Sequence, residues 1–301
     1  MELLYLQWLG MTAKHEQRYQ QHQKAITDLS ALYSEQGIKL MVLKGYGLSL
    51  NYPTPSLRPC GDIDIWIRDR QKEADELMVQ RTGIMPLKSS HHTIFDWQGC
   101  EVENHITILE YDTHKSNIKM DKLFTGFAEE GEEEILVEGQ RVLLPTSRFN
   151  AHFLLRHNLM HFAVEKITIR HLLDWATFVK KYSRSIDWDE LFSFARKSNV
   201  DKFLCCQNSI CVRYLHFDEN LFPVPKRYEQ LETRILLDIL SPEFDQEIPS
   251  IKSDFINYCL IKTKRLWKNR WKNEITNTDS FIASLLCYGW NRIRETILKI
   301  R

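Results

Sequence analysis

Gly61-Asp62-Ile63-Asp64-Ile65-Trp66-Ile67 is the stretch on which the reading of this chain turns. Its isoleucines recur at every second position, the period of a strand with one apolar face. Ile63, Ile65 and Ile67 therefore share one side, and Asp62 and Asp64 project together from the other. At roughly 3.3 Å per residue the two carboxylates stand about 7 Å apart. Strands disfavour Asp and like charges at that separation repel, so the pair is locally costly unless something positive lies between. A divalent metal resolves the cost. Mg²⁺ takes hard oxygen ligands, and two such ions about 3.5–4 Å apart stabilise both the attacking and the leaving oxygens of phosphoryl transfer. An isolated D-x-D is most simply a solvent-facing edge strand, so the surroundings have to decide.

Two neighbouring stretches bear on it. Glu101-Val102-Glu103-Asn104-His105 presents Glu101, Glu103 and His105 on one face by the same alternation, and pairing beside the first strand would bring a third carboxylate to Asp62 and Asp64. Upstream, Leu43-Lys44-Gly45-Tyr46-Gly47 places glycine just after a short apolar run. There, backbone amides can approach a triphosphate and Lys44 can offer a point charge. Neither the Walker pattern nor the full G-x-G-x-x-G fingerprint is present, so the combination carries the reading.

The 301 residues suggest about two domains. Forty basic and forty acidic side chains cancel, with 43% hydrophobic residues, which fits a globular protein and excludes a disordered tail. Cut at Pro145, however, residues 1–145 carry net −7 and residues 146–301 net +7. Ten of eleven glycines lie at or before Gly139, and the next is Gly289; turns and strands are expected upstream and long helices downstream. Seven cysteines with no C-x-x-C pair suit a reducing compartment with buried thiols. An acid near the N-terminus and no apolar run approaching 18 residues argue against a signal peptide or a membrane span, and the expected location is cytoplasmic.

The spacing predicts a helix over residues 6–35 ending at Gly37, a short strand over 39–43 and a brief helical segment after Gly45. A strand over 62–67 and a helix over 70–82 capped by Gly83 follow. Hairpins are expected about Gln98-Gly99 and Glu138-Gly139. Thr146 or Ser147 can cap the first of four to seven helices, broken near Asp187, Asn199, Pro223-Val224-Pro225, Pro242 and Asn277. The expected fold class is α+β: a small mixed β-sheet domain with flanking helices over residues 1–145, then an all-helical domain over 146–301.

Leu43-Lys44-Gly45, Tyr52-Pro53, Leu57-Arg58-Pro59, Gly61-Asp62-Ile63-Asp64-Ile65 and Val102-Glu103-Asn104-His105 together resemble the uncharacterised nucleotidyltransferase family of the polymerase-β-like superfamily. The similarity continues at His157-Asn158-Leu159-Met160-His161 and Arg170-His171-Leu172-Leu173-Asp174. It spans roughly residues 35–180, with the acidic strand its most specific element. The resemblance implies a mixed sheet with helices on one side, and NTP-dependent transfer of a nucleoside monophosphate to an acceptor with Mg²⁺ or Mn²⁺. It further implies that Asp62, Asp64 and Glu103 hold the metals, with Glu103 helping to deprotonate the acceptor. Lys44, Gly45, Tyr46, Arg58 and His105 are the expected nucleotide contacts, and His157, His161, Arg170 and Asp174 would support the site or meet the acceptor. The superfamily usually has Gly-Ser or Gly-Gly where this chain has Gly45-Tyr46, and an apolar residue where it has Asn104.

Each remaining candidate has a plainer reading beside it. Arg58 either clamps a phosphate oxygen or pairs with a local carboxylate. His157 and His161 share a helix face and Asp174 could bond one of them. A zinc site needs at least a third ligand, so the expectation is a buried polar network docking the helices on the sheet domain. His91-His92 is read as a hairpin-edge pair in solvent. The segment from Lys262 to Lys272, six basic residues in eleven, suits RNA or anionic lipid, but Trp267 and Trp271 packing inward beneath a solvated basic face is favoured, and a nucleic-acid partner is not. Glu129-Glu130-Gly131-Glu132-Glu133-Glu134 reads as an exposed loop.

The leading reading is a nucleotidyltransferase acting on an NTP and an unidentified acceptor. Its rivals are a non-catalytic nucleotide-binding or interaction module on the same fold, and an RNA-modifying nucleotidyltransferase using the basic tryptophan segment.

Overall fold

The polar, Gln-rich N-terminal stretch forms helix α1 (Glu2–Glu35), and Gly37, at φ 65°, turns the chain out of it. The computed structural model describes residues 2–89, 91–109, 116–164, 166–242, 244 and 255–276. The chain divides into two compact units: Met1–Asp112 with Asn117–Phe149, and Thr113–Ser116 with Asn150–Arg301. The helix break expected near Asn277 lies outside the described residues. Among the described residues, no helix is long and apolar enough to cross a membrane.

In the first unit, β1 (Met41–Val42) leads through Gly45 into the short helix α2 (Tyr46–Ser49), and β2 (Ile63–Trp66) is followed by α3 (Gln71–Thr82). Gly83 closes α3 at φ 71°, its N–H donated to the Val79 carbonyl. β3 (Leu87–Lys88), β4 (His92–Trp97), β5 (Cys100–His105), α4 (Ser116–Glu129), β6 (Glu132–Val137) and β7 (Gln140–Pro145) complete the unit. Both expected hairpins form. Gln98 and Gly99 (φ 55° and 75°), then Glu138 and Gly139 (φ 50° and 81°), place consecutive residues in the left-handed region that a two-residue hairpin needs. The glutamates Glu132 to Glu134 start β6 and do not lie in a loop: they pair with Pro145, Leu144 and Leu143 of β7.

The seven strands form one mixed sheet in the order β3-β4-β5-β2-β1-β7-β6. β2–β5 and β1–β7 are parallel and the other pairs antiparallel. Ile63, Ile65, Ile67 and Val102 meet Ala25, Ile26, Leu29 and Tyr33 of α1 and Ala74 and Met78 of α3 in one buried core. That apolar layer fixes which way β2 faces, because a one-residue slip would put both aspartates into it. The other face is not bare: Trp66 packs on Phe149, which also meets Phe124 of α4.

The helical unit begins within α5 (Ser147–Val164), whose Phe149 N–H is capped by the Thr146 hydroxyl at 3.3 Å. α6 (Ile169–Tyr182), α7 (Trp188–Lys197), α8 (Asp201–Arg213), α9 (Glu229–Leu240), α10 (Phe255–Lys268) and α11 (Arg270–Thr276) follow. Asp187 caps α7 through Glu190 N–H, Asn199 turns at φ 55° before α8, and the prolines 223 and 225 separate α8 from α9. α8 is buried from Phe203 to Cys211 and serves as the unit's centre. Within it, Asn208 accepts the Trp175 indole N–H at 2.9 Å and donates to the Pro223 carbonyl at 2.9 Å. The basic tryptophan segment departs from the expected inward pair. Trp271 is buried, but Trp267 is 64% exposed beneath Arg270, and Lys272 is buried in an ion pair with Asp238.

Candidate active site

β2 and β5 run parallel, with Asp64 opposite Glu103 and Trp66 opposite His105. Opposed residues of a parallel pair project from the same face, so these four stand together on the side away from the isoleucine core. Asp62 lies just before β2, in a bend, and is part-exposed. Asp64 is 2% exposed. One of its carboxylate oxygens receives the Lys44 ammonium at 2.8 Å and His105 Nε2 at 3.0 Å. His105 Nδ1 lies 3.3 Å from the Thr107 carbonyl, so both its ring nitrogens face acceptors. Ligand atoms of Asp64, Glu103 and His105 all lie within 4.8 Å of one another.

The charge balance in this pocket is uneven. Burial alone would raise the Asp64 carboxyl, but the Lys44 ammonium and the His105 imidazole outweigh it and hold it well below the usual carboxylate range. Glu103 goes the other way: burial, then the negative charges of Asp64 and Asp62, push it up against the weaker pull of Lys44 and His105. One lysine therefore does not neutralise three acids. That excess of hard oxygen donors fits a divalent cation, and the gathered ligand atoms of Asp64 and Glu103 could hold one.

The loop before α2 supplies the remaining parts. Gly45 sits at φ 57°, ψ −107°, and a Cβ there would come within 3.2 Å of the Asp62 carbonyl oxygen. Only glycine passes so close to the acidic strand without strain. Leu43 N–H donates to the Asp64 carbonyl at 3.0 Å, which sets Lys44 beside Asp64. Arg58 is buried and donates to the Gly45 carbonyl at 3.0 Å and the Pro59 carbonyl at 3.3 Å, so it braces the loop. The Tyr46 ring is turned away, buried and stacked on Tyr19 at 5.2 Å, which leaves its backbone for any nucleotide contact.

A family model described as uncharacterised nucleotidyltransferase matches residues 2–216. The chain belongs to this family. No curated protein is matched. Among solved structures, an antigenic nucleotidyltransferase-like protein from Paracoccidioides brasiliensis is similar at 12% identity and a TM-score of 0.38, over 59% of this chain and 88% of that one.

In this nucleotidyltransferase-family chain two further histidines ring the acids, and they are not the solvent-facing pair the sequence suggests. His92 is 8% exposed, opposite His105 in the β4–β5 register, with Nε2 3.6 Å from Glu103. His91 meets the rings of His92 and His105 at 4.2 and 6.0 Å. Burial, then the neighbouring imidazoles and Lys44, depresses both, His91 to about 4. Extending the alternation of β4 back from Ile94 by one step would have found His92, since Ile94 lies opposite Glu103. Asn104, on the core face, donates to Asp75 of α3 at 3.2 Å, and the Thr93 hydroxyl does so at 2.9 Å. The polar residue before His105 thus anchors β5 to α3.

His157 and His161 lie in the helical unit, and the side chain gathered onto them among the described residues is His171. All three are half-buried. Asp174 is buried in α6, where Arg170 occupies the first turn.

Proposed function

We propose that this chain is a divalent-metal-dependent nucleotidyltransferase that moves a nucleoside monophosphate from an NTP to an acceptor bearing a hydroxyl. The observation that carries the reading is the register of Asp64 against Glu103, with Asp62 beside them, in a pocket whose acids outnumber its one lysine. Asp62, Asp64 and Glu103 would hold Mg²⁺ or Mn²⁺. Bound there, the ion supplies neutralisation of the triphosphate and of the charge that develops on the transferring group.

The protein's own groups divide the rest of the work. Glu103, held above the usual carboxylate range, accepts the proton of the attacking hydroxyl. The acceptor oxygen forms a bond to the α-phosphorus, the α–β bridging P–O bond breaks, and pyrophosphate leaves with the electron pair. Lys44, 21% exposed in its side chain, can exchange Asp64 for a phosphate oxygen as a triphosphate enters. The backbone at Gly45, close to the acidic strand, would approach the phosphates, and Arg58 braces that turn through the Gly45 carbonyl. His105 holds Asp64 in its orientation.

The test is incubation of the protein with each NTP labelled at the α-phosphate, Mg²⁺ or Mn²⁺ and a cell extract. Covalent label on an acceptor is expected, with its loss in Asp64→Asn and Glu103→Gln proteins. Transfer that persists in both variants overturns the mechanism.

A further inference from the structure

Three imidazoles from consecutive helices converge in the helical unit. His157 and His161, one turn apart on α5, have ring centroids 4.4 Å apart. His171, in the first turn of α6, brings its ring to 5.6 Å from His161 and 6.1 Å from His157. A ring nitrogen from each lies within 4.8 Å of the other two. Nitrogens bound at about 2.0–2.1 Å to one tetrahedral ion are about 3.4 Å apart, so small rotations of these half-buried rings complete a coordination shell. We propose that His157, His161 and His171 bind a borderline divalent transition-metal ion, Zn²⁺ being the reference, with the fourth position left to water.

Ligand chemistry separates this site from the acidic one. Imidazole nitrogen suits zinc, copper, nickel and cobalt and is a poor partner for Mg²⁺, whereas the acidic cluster of the first unit sets two carboxylates beside one imidazole, His105, and so takes the harder ions more readily. Spacing points the same way: i and i+4 on α5 put two rings on one face, and the short connection to α6 returns the third to them.

Loading the ion acts on the cap of α6. His171 Nδ1 accepts the backbone N–H of Thr168 at 3.0 Å and lies 3.2 Å from the Thr168 hydroxyl, in the capping box that starts α6. An ion on Nε2 requires the proton on Nδ1, which then turns to the Thr168 hydroxyl oxygen. An ion on Nδ1 displaces the Thr168 N–H directly. Either way the metal competes with the cap hydrogen bond at Thr168, against three nitrogen ligands.

The full chain, produced without a histidine tag and stripped with chelator, is titrated with Zn²⁺ against a chromophoric chelator, and with Co²⁺ under visible absorption. One ion per chain is expected in the Asp64→Asn/Glu103→Gln double variant, and in the wild type with excess Mg²⁺ on the acidic cluster, with the intense Co²⁺ bands of a four-coordinate site. Affinity should fall about 100-fold or more in His157→Ala and His161→Ala and should persist in the Asp64→Asn/Glu103→Gln double variant. Circular dichroism checks that the variants fold, and the wild-type titration stands without them. A wild type that takes up no stoichiometric Zn²⁺ overturns the proposal, as does uptake that follows Asp64 and Glu103 and ignores the histidines.

Discussion

The Lys44 ammonium and the His105 imidazole meet the same oxygen of Asp64, at 2.8 and 3.0 Å, so one buried carboxylate organises the whole acidic pocket. Lys44 offsets a charge that three acids share, and its removal should expose the deficit. Lys44→Met is expected to cost on the order of 3 kcal/mol in the absence of divalent ions. Mg²⁺ should raise its melting temperature more than it raises that of the wild type. Thermal unfolding of both proteins, with and without Mg²⁺, checks this.

The turn at Gly45 takes a side chain only with strain. At φ 57°, ψ −107°, with the Asp62 carbonyl 3.2 Å from the position of a Cβ, Gly45→Ala should cost about 2 kcal/mol or more and shift the Lys44 loop off the acidic strand. Stability to chemical denaturation and the rate of label transfer should both fall, whereas Gly10→Ala on the exposed part of α1, with open space where its Cβ would lie, should leave transfer unchanged and raise stability by up to about 1 kcal/mol.

Acid should loosen the fold through histidines that are buried neutral. Burial, then Arg18, lowers His22 from 6.5 to about 4, and burial with its neighbouring imidazoles takes His91 to about 4. A histidine depressed in the folded state leaves the unfolded chain binding more protons below 6.5, so its contribution is full above 6.5 and is lost as pH falls toward 4. Each site that titrates only on unfolding gives a slope of about 1.4 kcal/mol per pH unit in that window. Denaturation midpoints between pH 7 and 4.5 should decline, and His22→Leu should flatten the decline.

Glu103 should set the acid limb of the transfer reaction. It must be ionised to hold metal or to take a proton, and burial together with Asp64 and Asp62 raises it. The limb should therefore lie above the ordinary carboxylate range at low Mg²⁺ and move down as Mg²⁺ saturates. A pH–rate profile at two Mg²⁺ concentrations reads this directly.

Much of this was legible because it depends on local chemistry. The Gln98-Gly99 and Glu138-Gly139 turns need positive φ, Gly83 ends a helix, and the alternation of isoleucine with aspartate fixes the face of β2. What escaped depends on pairing across the chain. His92 reaches Glu103 only because β4 lies against β5, and the Tyr46 ring is drawn into the core by Tyr19 of α1. Arg58 turns inward onto the Gly45 carbonyl, a bond that no spacing rule anticipates. Glu132 to Glu134 read as a loop by charge, yet β7 supplies an edge for them to pair with. His171 was hidden for the same reason, since its approach to His157 and His161 is set by the angle between two helices and not by their sequence period.

In the proposed reaction the acids of β2 and β5 act together on one divalent cation and, through it, on a nucleotide. The most direct measurement is a Mn²⁺ titration followed by electron paramagnetic resonance, with and without a non-hydrolysable NTP analogue, on the wild type, Asp64→Asn and Glu103→Gln. Saturable Mn²⁺ binding that the analogue tightens is expected, with its loss in either variant. Mn²⁺ binding of equal strength in all three proteins, indifferent to the nucleotide, would contradict it.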